Sequence, residues 1–150
     1  MDRTKSDSRL FGIILAQTDT TVGFLSLSKD ELYRAKNRDE LKSFIKVFSN
    51  FASLSARVPQ KYKSFVRRAK KTTFIVKQDS FRVAKNPNSS QILKNSPWFY
   101  STSANLSGKK FDLDFAQAKA DIIIQNIDGL KERDSSKIFK INNYKKIRIR

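Results

Sequence analysis

The sequence predicts an α/β protein in which helices flank an open, twisted sheet of mixed parallel and antiparallel strands. Apolar runs of strand length alternate along the chain with segments of helical periodicity. Several connections between predicted strands are too short for a crossover helix, which indicates antiparallel pairs beside the parallel ones. The 150 residues, 39% of them hydrophobic, suit one compact domain over 1–150, in which we expect 1–8 to be flexible.

The first third of the chain begins with the strongest strand signal. Leu10–Ala16 is a continuous apolar run, typical of a strand buried on both faces. Ser28, followed three residues later by Glu31, indicates a capping box that opens a helix reaching about Lys36. Residues 39–56 are ambiguous, because a short strand fits their middle although the wider periodicity favours a helix.

The remaining two thirds continue the alternation. Gln60–Lys71 predicts a basic amphipathic helix, with apolar residues on one face and lysines and arginines elsewhere. Breaks are indicated at Asn86–Asn88 and at Asp128–Gly129. The other predicted elements are strands over 72–77, 80–84, 98–101, 121–125, 137–141 and 145–149, and helices over 89–94 and from Asp112 or Asp114 to about Ala120.

The residue types that the chain lacks narrow its possible chemistry. It has no cysteine and no histidine, which excludes disulfide scaffolds, thiolate nucleophiles, most zinc sites and every triad with an imidazole base. Lys, Arg, Ser, Thr, Asn and carboxylates remain, and these side chains bind phosphates and neutralise developing charge. The longest apolar run is too short for a membrane helix and residues 1–7 lack the apolar core of a secretory signal, so we expect a soluble cytoplasmic protein without membrane contacts.

Positive charge is abundant and clustered. There are 31 Lys and Arg against 14 Asp and Glu, a net charge of +17. Arg57 to Lys85 contains ten basic residues and one acid, and Lys131 to Arg150 contains eight basic residues and two acids. Clustering of this kind favours a polyanionic partner such as RNA. The alternative is a lysine-rich surface that only contacts solvent.

Two polar segments are candidates for binding anions. Ser101–Gly108 follows a predicted strand with four hydroxyls, an amide and a glycine, which together could cradle a phosphate. An ordinary loop that caps the neighbouring helix is the alternative. Lys36 and Arg38 could likewise bind an anion, or could only complement the carboxyl end of their helix.

Read together and in order, these segments resemble the YrdC-like family of threonylcarbamoyl-adenylate synthases. Gln17–Phe24 is similar to the family's Pro-Thr-Asp/Glu-Thr-x-Tyr-Gly-Leu segment, and Ser101–Gly108 to its Ser-x-Asn block. Ala35–Arg38 is similar to its Lys-x-Arg element, with Lys42 as the further basic residue that often follows. Weaker similarities connect these blocks at Thr73–Ile75, Arg82–Val83, Ser136–Ile138 and Arg148.

The chain also departs from the family's pattern. Gln17 and Ala84 replace prolines, Val22 replaces a tyrosine, and Ala69–Lys71 replaces a Pro-Gly-Pro turn. The resemblance therefore implies the fold more directly than it implies the activity.

The resemblance implies a nucleotidyltransferase. The family's enzymes condense L-threonine, bicarbonate and ATP into threonylcarbamoyl-adenylate and pyrophosphate, and threonylcarbamoyl-transferase proteins then act on tRNA. ATP is thus expected as a substrate, together with Mg²⁺, for which no protein ligand is assigned, and no permanently bound cofactor is expected. The alternatives are a non-catalytic member that binds tRNA or double-stranded RNA, and a structural partner of a modification or ribosomal complex.

Individual roles follow from the matched positions. Lys36 and Arg38 are the catalytic candidates. Threonine would be held by Thr18, Arg82 and Ser101, and Arg82 suits a two-pronged contact with the carboxylate, although a surface cation is the alternative for it. The nucleotide would be bound by Lys36, Arg38, Thr73, Ser103, Asn105, Ser136 and Arg148. The residues of the predicted basic helix that we expect to bind RNA are Arg67, Arg68, Lys70 and Lys71.

Overall fold

The computed structural model describes residues 12–39, 43–84, 96, 98–124 and 128–150. The chain forms two compact units, and each is assembled from separate stretches of sequence. None of the described helices is long and apolar enough to cross a membrane. The first unit contains the chain up to Gln17, Thr21–Phe44 and Tyr100–Arg133, and the second contains Thr18–Thr20, Ile45–Phe99 and Asp134–Arg150.

The described residues form strands, three short α-helices and two 3₁₀ turns. The strands are β1 (Ile14–Gln17), β2 (Val22–Ser26), β3 (Ile45–Phe48), β4 (Thr72–Val76), β5 (Asp79–Val83), β6 (Trp98–Ser103), β7 (Ile122–Ile123), β8 (Lys137–Ile141) and β9 (Lys146–Arg148). The helices are α1 (Lys29–Lys36), α2 (Lys63–Arg68) and α3 (Leu113–Lys119), and the 3₁₀ turns cover Phe51–Ser53 and Gln60–Tyr62.

The first unit contains strands in the order β7-β1-β2-β6. β1 is antiparallel to β2 and parallel to β7, and β2 is antiparallel to β6, with Gly23 opposite Ser103. Every residue of β1 and β2 is buried. The prediction of a first strand with no exposed face is therefore confirmed.

The helices of the first unit begin where their capping residues predict. The Ser28 hydroxyl accepts a hydrogen bond from the Glu31 backbone N–H at 3.4 Å, which caps α1. The Ser28 N–H donates to the Ser26 hydroxyl at 3.0 Å, so only one half of the predicted capping box forms. Asp112 caps α3 by accepting from two backbone N–H groups. The buried core between these elements consists of Ile13, Leu15, Val22, Phe24, Leu32, Ala35, Phe44, Ala104 and Ala116.

The second unit contains strands in the order β3-β5-β4-β8-β9. β3 is parallel to β5 and β4 is parallel to β8, whereas the β4–β5 and β8–β9 pairs are antiparallel. Both units thus combine parallel and antiparallel pairs beside helices, and the predicted fold class is confirmed.

Aromatic rings dominate the core of the second unit. The Phe65 ring of α2 meets Phe74 at 5.6 Å and Phe139 at 5.3 Å between centroids, both in edge-on geometry. Phe74 also lies 5.9 Å from Phe81 on the neighbouring strand. Edge-on rings at these spacings are a favourable arrangement, so α2 is fixed to the sheet by its aromatic face.

The helix favoured over residues 39–56 is wrong. The structure has strand β3 there, followed by a 3₁₀ turn. Phe44 and Phe48 have helical spacing, but Phe44 is buried in the core of the first unit and Phe48 in that of the second. Their spacing therefore does not mark one helical face, and a strand of four residues is too short for periodicity to identify.

Smaller differences concern where elements end. The predicted helix over Gln60–Lys71 is a 3₁₀ turn followed by α2, which ends at Arg68. The predicted strand 98–101 continues to Ser103, so part of the expected polar loop belongs to β6. Four of the predictions lie outside the described residues: the flexible segment 1–8, the basic residue Lys42, the break at Asn86–Asn88 and the helix over 89–94.

Candidate functional site

In the first unit, Lys36 binds the last residue of β6 and the loop that follows it. It is the last residue of α1, and Asn37 after it adopts the left-handed conformation, with φ of 50°, that ends the helix. The Lys36 ammonium donates to the carbonyl oxygens of Ser103 at 2.6 Å and Asn105 at 2.7 Å, and to Asn105 Oδ1 at 3.2 Å. The structure thus brings Lys36, Ser103 and Asn105 together, as the resemblance predicts.

The loop after β6 is held in one shape by its own hydrogen bonds. Asn105 Nδ2 donates to the carbonyl oxygens of Leu106 at 2.8 Å and Lys109 at 2.7 Å. The Ser107 N–H donates to the Lys36 carbonyl oxygen at 3.1 Å, which satisfies one of the open carbonyls at the end of α1. The polar side chains of this loop therefore shape its backbone as well as lining it.

Lys36 is only 2% exposed, and no carboxylate is among its hydrogen-bond acceptors in the described part of the chain. Burial, together with the neighbouring charge of Arg38, lowers the pKa of Lys36 to about 8. A lysine with a pKa of about 8 is partly deprotonated at mildly alkaline pH, and Lys36 is paired with no carboxylate in the described part of the chain. A bound anion would therefore stabilise the charged form of Lys36.

Arg38 adds a second cation to the same region. Its Nη1 donates to the Thr102 hydroxyl at 3.3 Å and its Nη2 to the Ser43 carbonyl oxygen at 3.2 Å. Its guanidinium carbon lies 4.7 Å from the centroid of the Phe44 ring. Burial lowers the pKa of Arg38, and its Nε is buried with no hydrogen-bond partner among the described residues. Lys36, Arg38, Ser103 and Asn105 are called the lysine cluster below.

In the second unit, Arg82 forms an ion pair that the sequence did not predict. Its Nε donates to Asp19 Oδ1 at 3.0 Å, and the two side chains are only 5% and 8% exposed. Burial lowers the pKa of Arg82, and the charge of Asp19 together with its hydrogen bond acts in the opposite direction. Arg82 is therefore a buried, paired cation, so the alternative of a surface cation is wrong.

Two predicted nucleotide residues of the second unit share a hydrogen bond. The hydroxyls of Thr73 and Ser136 lie 2.7 Å apart and both residues are buried. Thr73 stands opposite Arg82 in the β4–β5 pair. Arg82, Asp19, Thr73 and Ser136 are called the arginine cluster below.

Arg150 reaches the arginine cluster, whereas Arg148 does not. Arg150 Nε donates to the Ser136 carbonyl oxygen at 3.0 Å, and its charge contributes to the lowered pKa of Arg82. Arg148 is exposed on β9, and its Nε donates to the Arg150 carbonyl oxygen at 3.4 Å. The resemblance pointed to a late arginine, but two arginines two positions apart fit that pattern equally well.

The other two predicted threonine-binding residues are buried polar residues in different units. The Thr18 and Thr20 hydroxyls lie 3.2 Å apart, on either side of Asp19 in the sequence. Ser101 lies in β6, opposite Leu25. Thr18 thus neighbours the acid that binds Arg82, and Ser101 precedes the segment that binds Lys36.

All four residues predicted to bind RNA are exposed. The Arg67 guanidinium lies 4.4 Å from the centroid of the Phe51 ring, and Arg68 Nε donates to the Ser64 carbonyl oxygen. Lys71, in the segment that replaces a Pro-Gly-Pro turn, has φ of 53°, and its carbonyl oxygen accepts from the Lys137 N–H at 3.0 Å. These cations lie at the end of α2 and just after it, and their binding to RNA stays a prediction.

Comparison with known proteins supports the fold. No protein-family model matches the sequence, and no curated protein sequence matches it. Among solved structures, the chain is similar to Pyrococcus abyssi Sua5 in complex with L-threonine, with 16% identity and a TM-score of 0.74 over 93% of this chain and 50% of that one. It is similar to Escherichia coli YciO with 16% identity and a TM-score of 0.75, over 99% of this chain and 87% of that one.

A third similar structure belongs to a much longer protein. Full-length HypF in its phosphate- and nucleotide-bound form has 16% identity and a TM-score of 0.74, over 99% of this chain and 28% of that one. The chain spans about half the length of Sua5. At these identities the similarity concerns the backbone, and the chain has the YrdC-like fold that its sequence motifs predict.

Proposed function

We propose that the chain is a nucleotidyltransferase of the threonylcarbamoyl-adenylate type, which converts L-threonine, bicarbonate and ATP into threonylcarbamoyl-adenylate and pyrophosphate. The observation that supports this most is the lysine cluster, in which two cations converge on a hydroxyl-rich loop and bind no carboxylate among the described residues. The fold agrees, since it is shared with Sua5 and HypF.

The lysine cluster is suited to the phosphates of ATP. The Lys36 ammonium already donates to loop oxygens, so in our proposal it supplies charge and holds the loop in shape. Arg38 is half-buried and Ser103 is exposed, so in our proposal these two residues contact a phosphate oxygen directly. Developing charge on the departing pyrophosphate would be neutralised by the two cations, which is the main requirement of phosphoryl and adenylyl transfer.

The arginine cluster is suited to an amino acid carboxylate. Asp19 binds Nε of the Arg82 guanidinium, which orients the planar group. The terminal nitrogens at its other end match the two oxygens of a carboxylate, so Arg82 would bind threonine in a two-pronged contact. Thr18, beside Asp19, would contribute a hydroxyl to the same ligand. The resemblance also implies Ser101 as a threonine contact and Thr73, Ser136 and Arg148 as nucleotide contacts.

The chemistry needs no protein nucleophile. Threonine's amine and bicarbonate combine to a carbamate with loss of water, and a carbamate oxygen then attacks the α-phosphorus of ATP as pyrophosphate departs. The proposed task of the chain is to orient these groups and to stabilise charge. Mg²⁺ would enter with ATP, because the described residues contain no group of three or more acidic side chains that could hold a metal ion.

The proposal is tested by pyrophosphate release from ATP with threonine and bicarbonate each omitted in turn. We expect release only when all three substrates are present. Release that is independent of threonine would indicate a different nucleotide hydrolase, and no release with intact ATP binding would contradict the enzyme assignment. Transfer to tRNA would be measured separately, after adding a threonylcarbamoyl-transferase protein.

A further inference from the structure

Among the strands that the structure describes, β9 has no neighbour on its outer edge. In the strand order of the second unit it stands last, beside β8. The Ile149 N–H donates to the Ile138 carbonyl oxygen of β8 at 2.8 Å, and antiparallel pairs alternate, so Ile147 also faces β8. The backbone N–H and C=O groups of Lys146 and Arg148, between them, point away from β8.

Along residues 146–149 the side chains alternate between the two faces of the sheet. Ile147 and Ile149 lie on one face and are 44% and 56% exposed, which is unusual for isoleucine on a sheet edge. Lys146 and Arg148 lie on the other face, where the Lys146 ammonium sits 3.9 Å from the centroid of the Phe65 ring. A neighbouring strand would meet cations on one face and apolar side chains on the other.

Charge decides which strand could pair there. Residues 135–150 contain six basic residues and no acid. A second copy of this chain would place like charges opposite each other, which destabilises a strand pair, and lysines on edge strands are a common protection against such self-pairing. An acidic strand would instead be attracted by the charges that repel a second copy.

We propose that β9 binds an extended acidic segment of a partner protein as an additional strand. Main-chain hydrogen bonds to Lys146 and Arg148 would provide the binding, and alternate side chains the specificity. Residues of the segment opposite these two cations would be acidic, and the residue opposite Ile147 would be apolar. The partner is thus defined by alternation of acidic and apolar residues over about five positions.

The first test uses the full chain and three synthetic peptides. One peptide alternates Glu and Val, the second has the same composition in scrambled order, and the third has Lys in place of Glu. We expect calorimetry to detect binding of the alternating acidic peptide alone. Hydrogen exchange should then slow at the amides of Lys146 and Arg148, which pair with none of the described strands before binding. Equal binding of the scrambled peptide, or no protection at these amides, would overturn the proposal.

The second test separates the contribution of the Lys146 backbone N–H to peptide binding from the contribution of its side-chain charge. Lys146→Gln removes the charge, and Lys146→Pro removes the charge and the outward N–H, at the first position of an edge strand where proline is tolerated. We expect Lys146→Pro to weaken peptide binding about fivefold more than Lys146→Gln, since one main-chain hydrogen bond is lost. Ile147→Thr keeps the strand propensity and should weaken binding through the other face.

An RNA duplex is the competing ligand for such a basic edge. Phosphates need the charge of Lys146 and not its N–H, so Lys146→Gln and Lys146→Pro would weaken RNA binding equally. If the two variants lose peptide affinity equally as well, the surface recognises charge alone and the strand-addition proposal fails. Exchange protection is measured on the unmodified chain, so the first test decides the proposal even if Lys146→Pro does not fold.

Discussion

The lysine cluster and the arginine cluster both bury a cation, but they compensate it differently. Lys36 is surrounded by the neutral oxygens of Ser103 and Asn105, whereas Arg82 is paired with the carboxylate of Asp19. Neutral oxygens orient a cation without cancelling its charge, and a carboxylate cancels it. The first cluster therefore suits a ligand with several negative charges, and the second suits a ligand with one carboxylate and a balancing amine.

The two clusters should differ most in how much their cations contribute to the free energy of unfolding. Arg82→Ala leaves Asp19 buried without its partner, which we expect to lower the free energy of unfolding by about 3 kcal/mol. Arg38→Ala removes a cation that pairs with no acid among the described residues, and should cost clearly less. Urea denaturation of both variants measures this, and equal losses would show that the compensation by Asp19 does not matter.

Binding of ATP should depend on the lysine cluster. Lys36→Ala removes charge and releases the loop after β6, and Asn105→Ala removes three hydrogen bonds that shape the same loop. We expect each variant to weaken ATP binding by at least about tenfold, equivalent to about 1.4 kcal/mol, while remaining folded. Calorimetry with ATP measures the affinity, and Lys119→Ala, at the end of α3, is the exposed helix-end control.

Unchanged ATP affinity in both Lys36→Ala and Asn105→Ala, with an intact melting transition, would contradict the assignment of phosphates to the lysine cluster. A loss in Lys119→Ala of similar size would show that ATP responds to the overall positive charge alone.

Binding of threonine should depend on the planar shape of the cation in the arginine cluster. Arg82→Lys keeps the charge that compensates Asp19, but an ammonium cannot make a two-pronged contact. We expect the threonine concentration needed for half-maximal pyrophosphate release to rise about tenfold, equivalent to about 1.4 kcal/mol. Wild-type threonine dependence in Arg82→Lys would remove Arg82 from the threonine site, even if ATP still binds.

A change of pH between 7 and 9 should alter ATP binding through the lysine cluster only. Burial lowers the pKa of Lys36 to about 8, so the folded protein loses this proton as pH rises through 8, whereas an ordinary lysine keeps it to about 10.5. ATP binding should therefore weaken by about fivefold between pH 7 and pH 9. In Lys36→Arg the cation persists, and the midpoint near pH 8 should vanish.

The same proton also has a defined effect on stability. Between the folded and unfolded pKa values the unfolded chain binds more protons, so the free energy of unfolding should rise with pH there. Lys36→Gln should lack this rise. A wild-type curve parallel to that of Lys36→Gln would show that Lys36 titrates normally.

The exposed cations after the 3₁₀ turn at Gln60–Tyr62 provide a third case, in which the cations are not buried. Replacing the four residues predicted to bind RNA by Gln should reduce the salt dependence of tRNA binding, with a slope change of about 0.7 to 0.9 per lost phosphate contact. Filter binding at several salt concentrations measures this slope. An unchanged slope would leave these residues as a solvent-exposed surface. The four residues are Arg67, Arg68, Lys70 and Lys71.

Local signals predicted much of the fold. The apolar run before Gln17, the cap at Ser28 and the cap at Asp112 each identify an element through neighbours within four residues, and each element is present. The region around β3 was misjudged because Phe44 and Phe48 serve different cores. Which core a residue joins depends on the whole fold, and periodicity contains no information about it.

The residues of the two clusters were easier to name from the sequence than the partners that they contact in the structure. The matched motifs named Lys36, Ser103, Asn105 and Arg82, but no local pattern connects Arg82 to Asp19, which is 63 positions away. Likewise, spacing does not distinguish Arg148, which is exposed on β9, from Arg150, which contacts Ser136. Partners in an ion pair become visible only when the strands are placed.

The interleaved sequence of the two units has a consequence for synthesis of the chain. The Thr73 and Ser136 hydroxyls that meet in the second unit are 63 positions apart, and β4 gains its parallel neighbour only from β8. During synthesis from the amino end, β4 and its Phe74 emerge from the ribosome well before β8. Long-range parallel pairing of this kind is slow and leaves strand edges open meanwhile. The β4 edge that pairs with β8 therefore stays without this neighbour until residue 141 has emerged.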